Sequence, residues 1–429
     1  MPSRTSKPKS RKSSRLAGQK PLVDQIAEPS ALEPVFSAPI RQAPGADRIL
    51  LVIDDRQRDP LLDRYAEIMT GHGHPCEVFS VPAGDPVAAR SRIRQHPGIR
   101  DGSIRGIQVF GKTIPSFRLL KLDPSDPTRI SRGATDLPFG SDFTGYDAPL
   151  VPDEITQSSG IQVNDLAASL ARLEADFRQS QWVARIFRLD EQYLENLATT
   201  QPPQVNNMLI VNADPVFDDA ELNERIRTRY RNRYGTVTAG QVRRFAFTNV
   251  DFREKELYAY LEANLPNATF LSIADHGNSN KVANMPPSQN GIPTLPKLPD
   301  MVEFASCSAG DWMGEEEPSI SVVEAALRQG CLTAVAAQCL LAWNLARGYP
   351  DPNPGTNPYE PDNQNPAPML DVWPTSPSLG HAQIEAVTQA FRLLPTSVYN
   401  DKVHLVFQIL AGHSLFGDGT IAFSNHTFA

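Results

Sequence analysis

Short apolar runs that end on a polar residue recur along this chain, separated by segments with helical spacing. That alternation constrains the fold more than any other feature. Arg48–Asp54 (RILLVID) is continuously apolar and closes on an acid, as expected of a strand covered on both faces. Residues Leu61–Gly71 have helical spacing with a Gly stop, Cys76–Val81 reads as a strand, Val87–Gln95 as a helix and Gly106–Phe110 as a strand. After a loop-rich stretch over 118–160, Asn164–Phe177 is an amphipathic helix. The pattern then restarts with strands Asn207–Val211, Val242–Phe247, Thr269–Ala274, Met301–Ala305 and Thr333–Ala337. Helices Asp219–Tyr234, Arg253–Leu265, Ser319–Gly330, Gln383–Leu394 and Lys402–Leu410 fall among and after them, with an irregular Pro/Asn-rich segment over 349–378. Strand–helix alternation of this kind predicts an α/β fold with parallel, doubly wound sheet.

Charge and proline usage divide the 429 residues further. The first twenty hold Arg4, Lys7, Lys9, Arg11, Lys12, Arg15 and Lys20 and no acid. A tail of +7 on a chain of −8 leaves −15 on residues 21–429. The acidic body argues against nucleic acid as its partner. The tail reads as a disordered solubilising arm, with nucleic-acid or membrane contact, or removal by processing, as the sharper alternatives. With a Pro-rich linker after it, the expected organisation is a tail over 1–45, an N-terminal α/β unit over 46–200 and a C-terminal unit over 201–429. No apolar h-region follows the basic tail, and the longest apolar run, Cys331–Ala346, is broken by Gln338 and Asn344. The expectation is therefore a cytoplasmic chain with no membrane span. Four cysteines are too few for a disulfide scaffold.

One of the four stands where chemistry is expected. Strand Thr269–Ala274 runs into Asp275-His276-Gly277-Asn278, and strand Met301–Ala305 runs into Ser306-Cys307-Ser308-Ala309-Gly310. In an open parallel sheet the carboxyl ends of the strands form the ligand crevice, so neighbouring strands would bring His276 and Cys307 together. A thiolate is the nucleophile, and it needs a base or cation beside it near neutral pH. Histidine titrates in the range needed to take the thiol proton and return it to a leaving amine. The N–H groups of Gly277 and Cys307 could form an oxyanion hole, worth roughly 3–4 kcal/mol per donor. Singly, each residue would read as structural: a buried thiol and a capping histidine. It is the pairing at two strand ends that points to catalysis.

An apolar block ending in His-Gly, followed by a second ending in small residue–Cys, resembles the caspase-like clan of cysteine peptidases, and within it the gingipain-type peptidases. The resembling segments are FLSIADHGN (270–278) for the general base and VEFASCSAGDW (302–312) for the nucleophile, with SVVEAALRQG (321–330), TAVAAQCLLAW (333–343) and Phe416-Gly417-Asp418 after them. RILLVIDD, GIQVFGKTIP (106–115), SDFTGYDA (141–148) and VNDLAASLARLEADF (163–177) follow family order in the N-terminal half, so the likeness runs over about 46–425. Departures are Ser159-Gly160 where the family has Gly-Arg, and Gly419 where it has Pro. The resemblance implies a caspase-like three-layer α/β/α sandwich of two side-by-side, mostly parallel subdomains, and a protein or peptide substrate. It implies Asp214 as an acid orienting His276, with a helix cap as the plain alternative. It implies Trp343 as a wall of the specificity pocket, otherwise a core Trp. Asp218, Asp219 and Glu221 would be pocket acids selecting Arg or Lys, otherwise first-turn acids of a helix. Ser306, beside the nucleophile, is grouped with the substrate-binding residues. An inactive scaffold or binding module with the same fold is the alternative function.

Other constellations are weaker. His72-Gly73-His74-Pro75-Cys76 has zinc-ligand types but no second pair, which favours a helix-to-strand turn. Asp54-Asp55 resembles a phosphoacceptor site, but the third strand ends in Phe110-Gly111-Lys112 without the acid such a site needs. Thiol chemistry requires no cofactor. Calcium stays open as a ligand of strand-end acids, with no site fixed.

Overall fold

Each residue of Arg48–Asp54 (β1) from Ile49 onward is buried, because both faces of the strand are covered. Ile49, Leu51 and Ile53 enter one core and Leu50 and Val52 a second. The computed structural model describes residues 47–56, 59–123, 126–141, 166–199, 207–212, 238–244, 261–263, 265–268, 270–274, 277–278, 281–282, 298–306, 308–313, 320–338, 369–373, 376–393, 410 and 412–422. Pro44–Ala429 form one compact unit, and the basic segment over 1–20 lies outside the described residues.

Ten strands make one sheet among the described residues. Besides β1 they are β2 (Cys76–Val81), β3 (Ile104–Phe110), β6 (Trp182–Ile186), β7 (Asn207–Asn212), β8 (Thr238–Arg244), β9 (Phe270–Ala274), β12 (Met301–Ala305), β13 (Thr333–Ala336) and β14 (Ser414–Gly417). Two antiparallel pairs stand apart: β4 (Phe117–Asp123) with β5 (Asp126–Thr135), and β10 (Gly277–Asn278) with β11 (Lys281–Val282). The order is β2-β1-β3-β6-β14-β13-β12-β9-β7-β8. The first five are mutually parallel, as are the last five, and the two halves meet antiparallel at β14 and β13. The α/β units expected from the sequence thus share a single sheet, because a strand from the end of the chain closes the first half and pairs with the second.

Helices cover both faces. The core holding Ile49 takes residues from α1 (Leu62–Gly71), α5 (Glu191–Thr199), α6 (Val322–Arg328) and α7 (Met369–Val372). The core holding Leu50 takes them from α2 (Pro86–Arg94), α3 (Pro97–Arg100) and α4 (Leu166–Arg178), and α8 (Leu379–Leu393) contributes to both. The result is a mixed α/β sandwich around a mostly parallel sheet. Helix starts follow local chemistry. The Asp85 carboxylate accepts from Val87 N at 2.9 Å and Ala88 N at 3.1 Å, with Pro86 at the first helical position. Ser321 accepts from Glu324 N at the start of α6.

Several elements differ from expectation. The stretch over 118–160 contains the β4–β5 hairpin, and β8 begins four residues before the run expected at Val242–Phe247 and overlaps it through Arg244. Strand β6 interrupts its apolar run with Arg185, a residue that is buried only because it is fully paired. Strand β14 is four residues long and is stabilised by partners far away in sequence, β6 and β13. The expected helices Asp219–Tyr234 and Lys402–Leu410 lie almost wholly outside the described residues. Among the described residues no helix is long and apolar enough to cross a membrane.

Candidate active site

Three strands of the second half end side by side. The parallel register pairs Asn212 of β7 with Ala274 of β9, and Ala274 with Ala305 of β12. In sequence, Asp214, His276 and Cys307 each stand two positions after one of these paired residues. Strands β9 and β12 are therefore neighbours in the backbone, the condition on which the pairing of their ends rested. Asp214, His276 and Cys307 themselves lie outside the described residues, as do Asp218, Asp219, Glu221 and Trp343. Gly277 and Ser306 lie within them. Gly277 begins β10 and pairs with Val282 across the short ladder. Ser306 is buried, and its hydroxyl has no hydrogen-bond partner among the described residues.

The segment after Cys307 is tightly folded. Ser308 has φ +52°, a left-handed conformation that a non-glycine residue adopts at a cost and that recurs at functional sites. Asp311 N–H donates to Ser308 O at 2.9 Å, closing a turn, and Asp311 Oδ1 accepts from Met313 N at 3.1 Å. Gly310 N–H donates to Ala337 O at 2.7 Å, tying the turn to the end of β13. A side chain at 310 would meet the Phe416 ring at 2.9 Å, so glycine is what lets this turn sit against β14. Trp312 then packs beside Phe187, ring centroids 5.7 Å apart in an edge-on arrangement.

Two polar pairs are buried at the sheet, one in each half. Ser272 of β9 donates its hydroxyl hydrogen to the Glu303 carboxylate of β12, its partner in the register. On β6, Arg185 is fully buried and forms a bidentate pair with Asp136, Nε–Oδ2 and Nη2–Oδ1 both at 2.7 Å. Asp136 Oδ1 also accepts from Ser116 Oγ at 2.7 Å. Sequence reasoning gave none of these residues a role. The signal available was a charge inside an apolar run, Glu303 in MVEFA and Arg185 in WVARI, which a folded protein tolerates only with a partner.

Burial works against ionisation of the described thiols. Burial, with the Asp418 charge adding, pushes Cys76 up to about 12. Burial pushes the thiol of Cys331 up as well, so both stay protonated near neutral pH. The His72–Cys76 segment is the connection from α1 to β2, where Cys76 Sγ donates to His74 O at 3.3 Å. Among the described residues no three His, Cys, Asp or Glu side chains are placed to hold a metal ion. At the end of β1, burial works against ionisation of Asp54. Hydrogen bonds from Arg56 N–H and Thr113 outweigh it and hold the carboxyl below its ordinary value.

No family model matches the chain, and no curated protein matches it in sequence. Among solved structures, one described as "Structure of Protease" matches with a TM-score of 0.55, over 88% of this chain and 78% of that one, at 11% identity. The fold is similar to that of this structure. At that identity the likeness is one of architecture and assigns no residue. A C2-type ketoreductase from a modular polyketide synthase, also 11% identical, has a TM-score of 0.17 and carries no argument.

Proposed function

We propose that the chain is a cysteine endopeptidase of the caspase-like, gingipain-type kind, with Cys307 as nucleophile and His276 as acid–base. The observation that supports this most is the register of β7, β9 and β12. Their last paired residues stand level, two positions before Asp214, His276 and Cys307. Adjacent parallel strands are about 4.8 Å apart, so side chains leaving neighbouring ends are within reach of one another. The fold's similarity to a structure described as a protease and the strained turn at Ser308 support the same reading.

In this reading His276 takes the thiol proton of Cys307, and the thiolate attacks the scissile carbonyl. The oxyanion is held by N–H groups of Gly277 and Cys307. The amine leaves with the proton from His276, and water hydrolyses the thioester with His276 now acting as base. Asp214 orients His276. Trp343 and Ser306 border the substrate, and Asp218, Asp219 and Glu221 select Arg or Lys ahead of the cleaved bond. A regulated intracellular enzyme, with its basic tail removed on activation, is the setting that suits this sequence.

The test is a positional-scanning peptide library run on wild type and Cys307→Ala. The expected result is cleavage after Arg or Lys by wild type and a loss of about 10⁴-fold or more in the variant. Equal turnover by both would remove Cys307 from the mechanism. A folded wild type that cleaves nothing in the library would favour the non-catalytic scaffold instead.

A further inference from the structure

We propose that Trp312, gripped by the buried Arg185–Asp136 pair, is a positioning residue for the segment that carries Cys307; this rests on the reading of Cys307 as nucleophile. The guanidinium of Arg185 has four of its N–H directions committed in its own plane. Two go to Asp136, and Nη1 donates to Gly111 O and Ile114 O at 2.8 Å each. What remains is its flat face, which lies 4.7 Å from the centroid of the Trp312 ring. The indole is further bordered by the edge-on Phe187 ring, and its Nε1 has no hydrogen-bond partner among the described residues. The ring is thus held by its face and edge, from the first half of the sheet. The next residue is held from the same side, through Ser116 N–H donating to Met313 Sδ at 3.2 Å.

From the second half the same segment is tied by Gly310 N–H to Ala337 O. Residues 310–313 therefore bridge the two halves, six positions or fewer after Cys307, with the left-handed Ser308 between the nucleophile and the bridge. A buried ion pair is in general weak evidence of stabilisation, since an apolar replacement often does as well. What an apolar replacement would not supply is a planar cation in a fixed orientation. Such a support fixes the approach of a nucleophile, where displacement by about 1 Å costs on the order of 10²-fold in rate.

The experiment uses the full chain and the variants Trp312→Leu and Trp312→Phe, each checked for folding by thermal melt. Hydrolysis of the best library peptide gives kcat and KM. Iodoacetamide alkylation, mapped to the Cys307 peptide by mass spectrometry, gives the pH midpoint of thiolate formation. In Trp312→Leu, kcat is expected to fall by roughly 10- to 100-fold with KM within about threefold. The alkylation midpoint is expected to move up toward that of an ordinary thiol. Trp312→Phe keeps an aromatic face for Arg185 and is expected to recover most of both. A folded Trp312→Leu with wild-type kcat and midpoint would overturn the positioning role while leaving the peptidase reading intact. Wild type with no Cys307-dependent hydrolysis and an ordinary midpoint would overturn both.

Discussion

In the first half of the sheet, strand ends run into groups already committed to one another. Asp54 accepts from Arg56 N at 2.8 Å, Gly111 N–H donates to Ile186 O at 2.8 Å, and Arg185 is saturated by Asp136, Gly111 and Ile114. In the second half, Asn212, Ala274 and Ala305 end level with one another. The described residues beyond them offer a buried hydroxyl without a partner at Ser306 and a strained turn at Ser308. Polar groups that satisfy each other make a rigid platform; polar groups left over at strand ends are where a ligand is met. The two halves have the same local architecture, so their difference is one of chemistry at the strand ends. In the proposed function the first half supports and the second reacts, and the two are joined where β14 pairs with β13.

That contrast can be broken at the seam most severely. Gly417 has φ +90°, and a Cβ there would stand 2.1 Å from Leu332 O, a backbone atom with no room to yield. Gly417→Ala is expected to destabilise the fold by about 3 kcal/mol or more in chemical denaturation. A loss under about 1 kcal/mol would mean that the halves are not coupled there.

A smaller effect is expected one residue on. Burial holds the Asp418 carboxyl above its ordinary value, despite hydrogen bonds from Thr420 N–H and Oγ1–H. The folded chain keeps that proton where the unfolded chain has released it. This contribution to stability is therefore full at acid pH and is lost as pH rises from about 4 through the raised value. Asp418→Asn keeps an acceptor for Thr420 and removes the titration. Its stability is expected to decline less than that of wild type over this rise, and parallel curves would contradict the assignment.

The smallest effect belongs at the far edge of the first half. Arg48 and Glu77 pair at 3.3 Å with about half of each side chain in solvent. Arg48→Ala is expected to cost under about 1 kcal/mol and to leave peptide hydrolysis unchanged. A larger loss of activity would show that support for the site extends across the whole first half.

Legibility in the sequence follows the same physics. β1, α1, β2, α2 and β3 were readable to within a few residues, because continuous apolar runs and local caps specify them. The sequence marked the endings of β9 and β12, Asp-His-Gly and Ser-Cys-Ser, as a pair only on the condition that the strands were neighbours, and the register supplies that condition. β6 was hidden by Arg185, whose burial depends on Asp136 from another part of the chain. β14 was hidden because four residues form a strand only where two distant strands already stand. The β4–β5 hairpin was hidden by its Asp-Pro pairs, which read as loop. Trp312 was within view in the segment ending GDW, but its partner Arg185 belongs to the other half of the sheet, and no spacing rule reaches that far.

The central claim is that Cys307 is the activated thiol of this molecule. A peptidyl electrophile with arginine at its reactive end, added at neutral pH and followed by peptide mapping, tests it most directly. The account predicts one adduct, on Cys307, formed far faster than on free cysteine and abolished in His276→Ala. An adduct on Cys76, Cys331 or Cys339 instead, or labelling of Cys307 at the rate of an ordinary thiol, would contradict it.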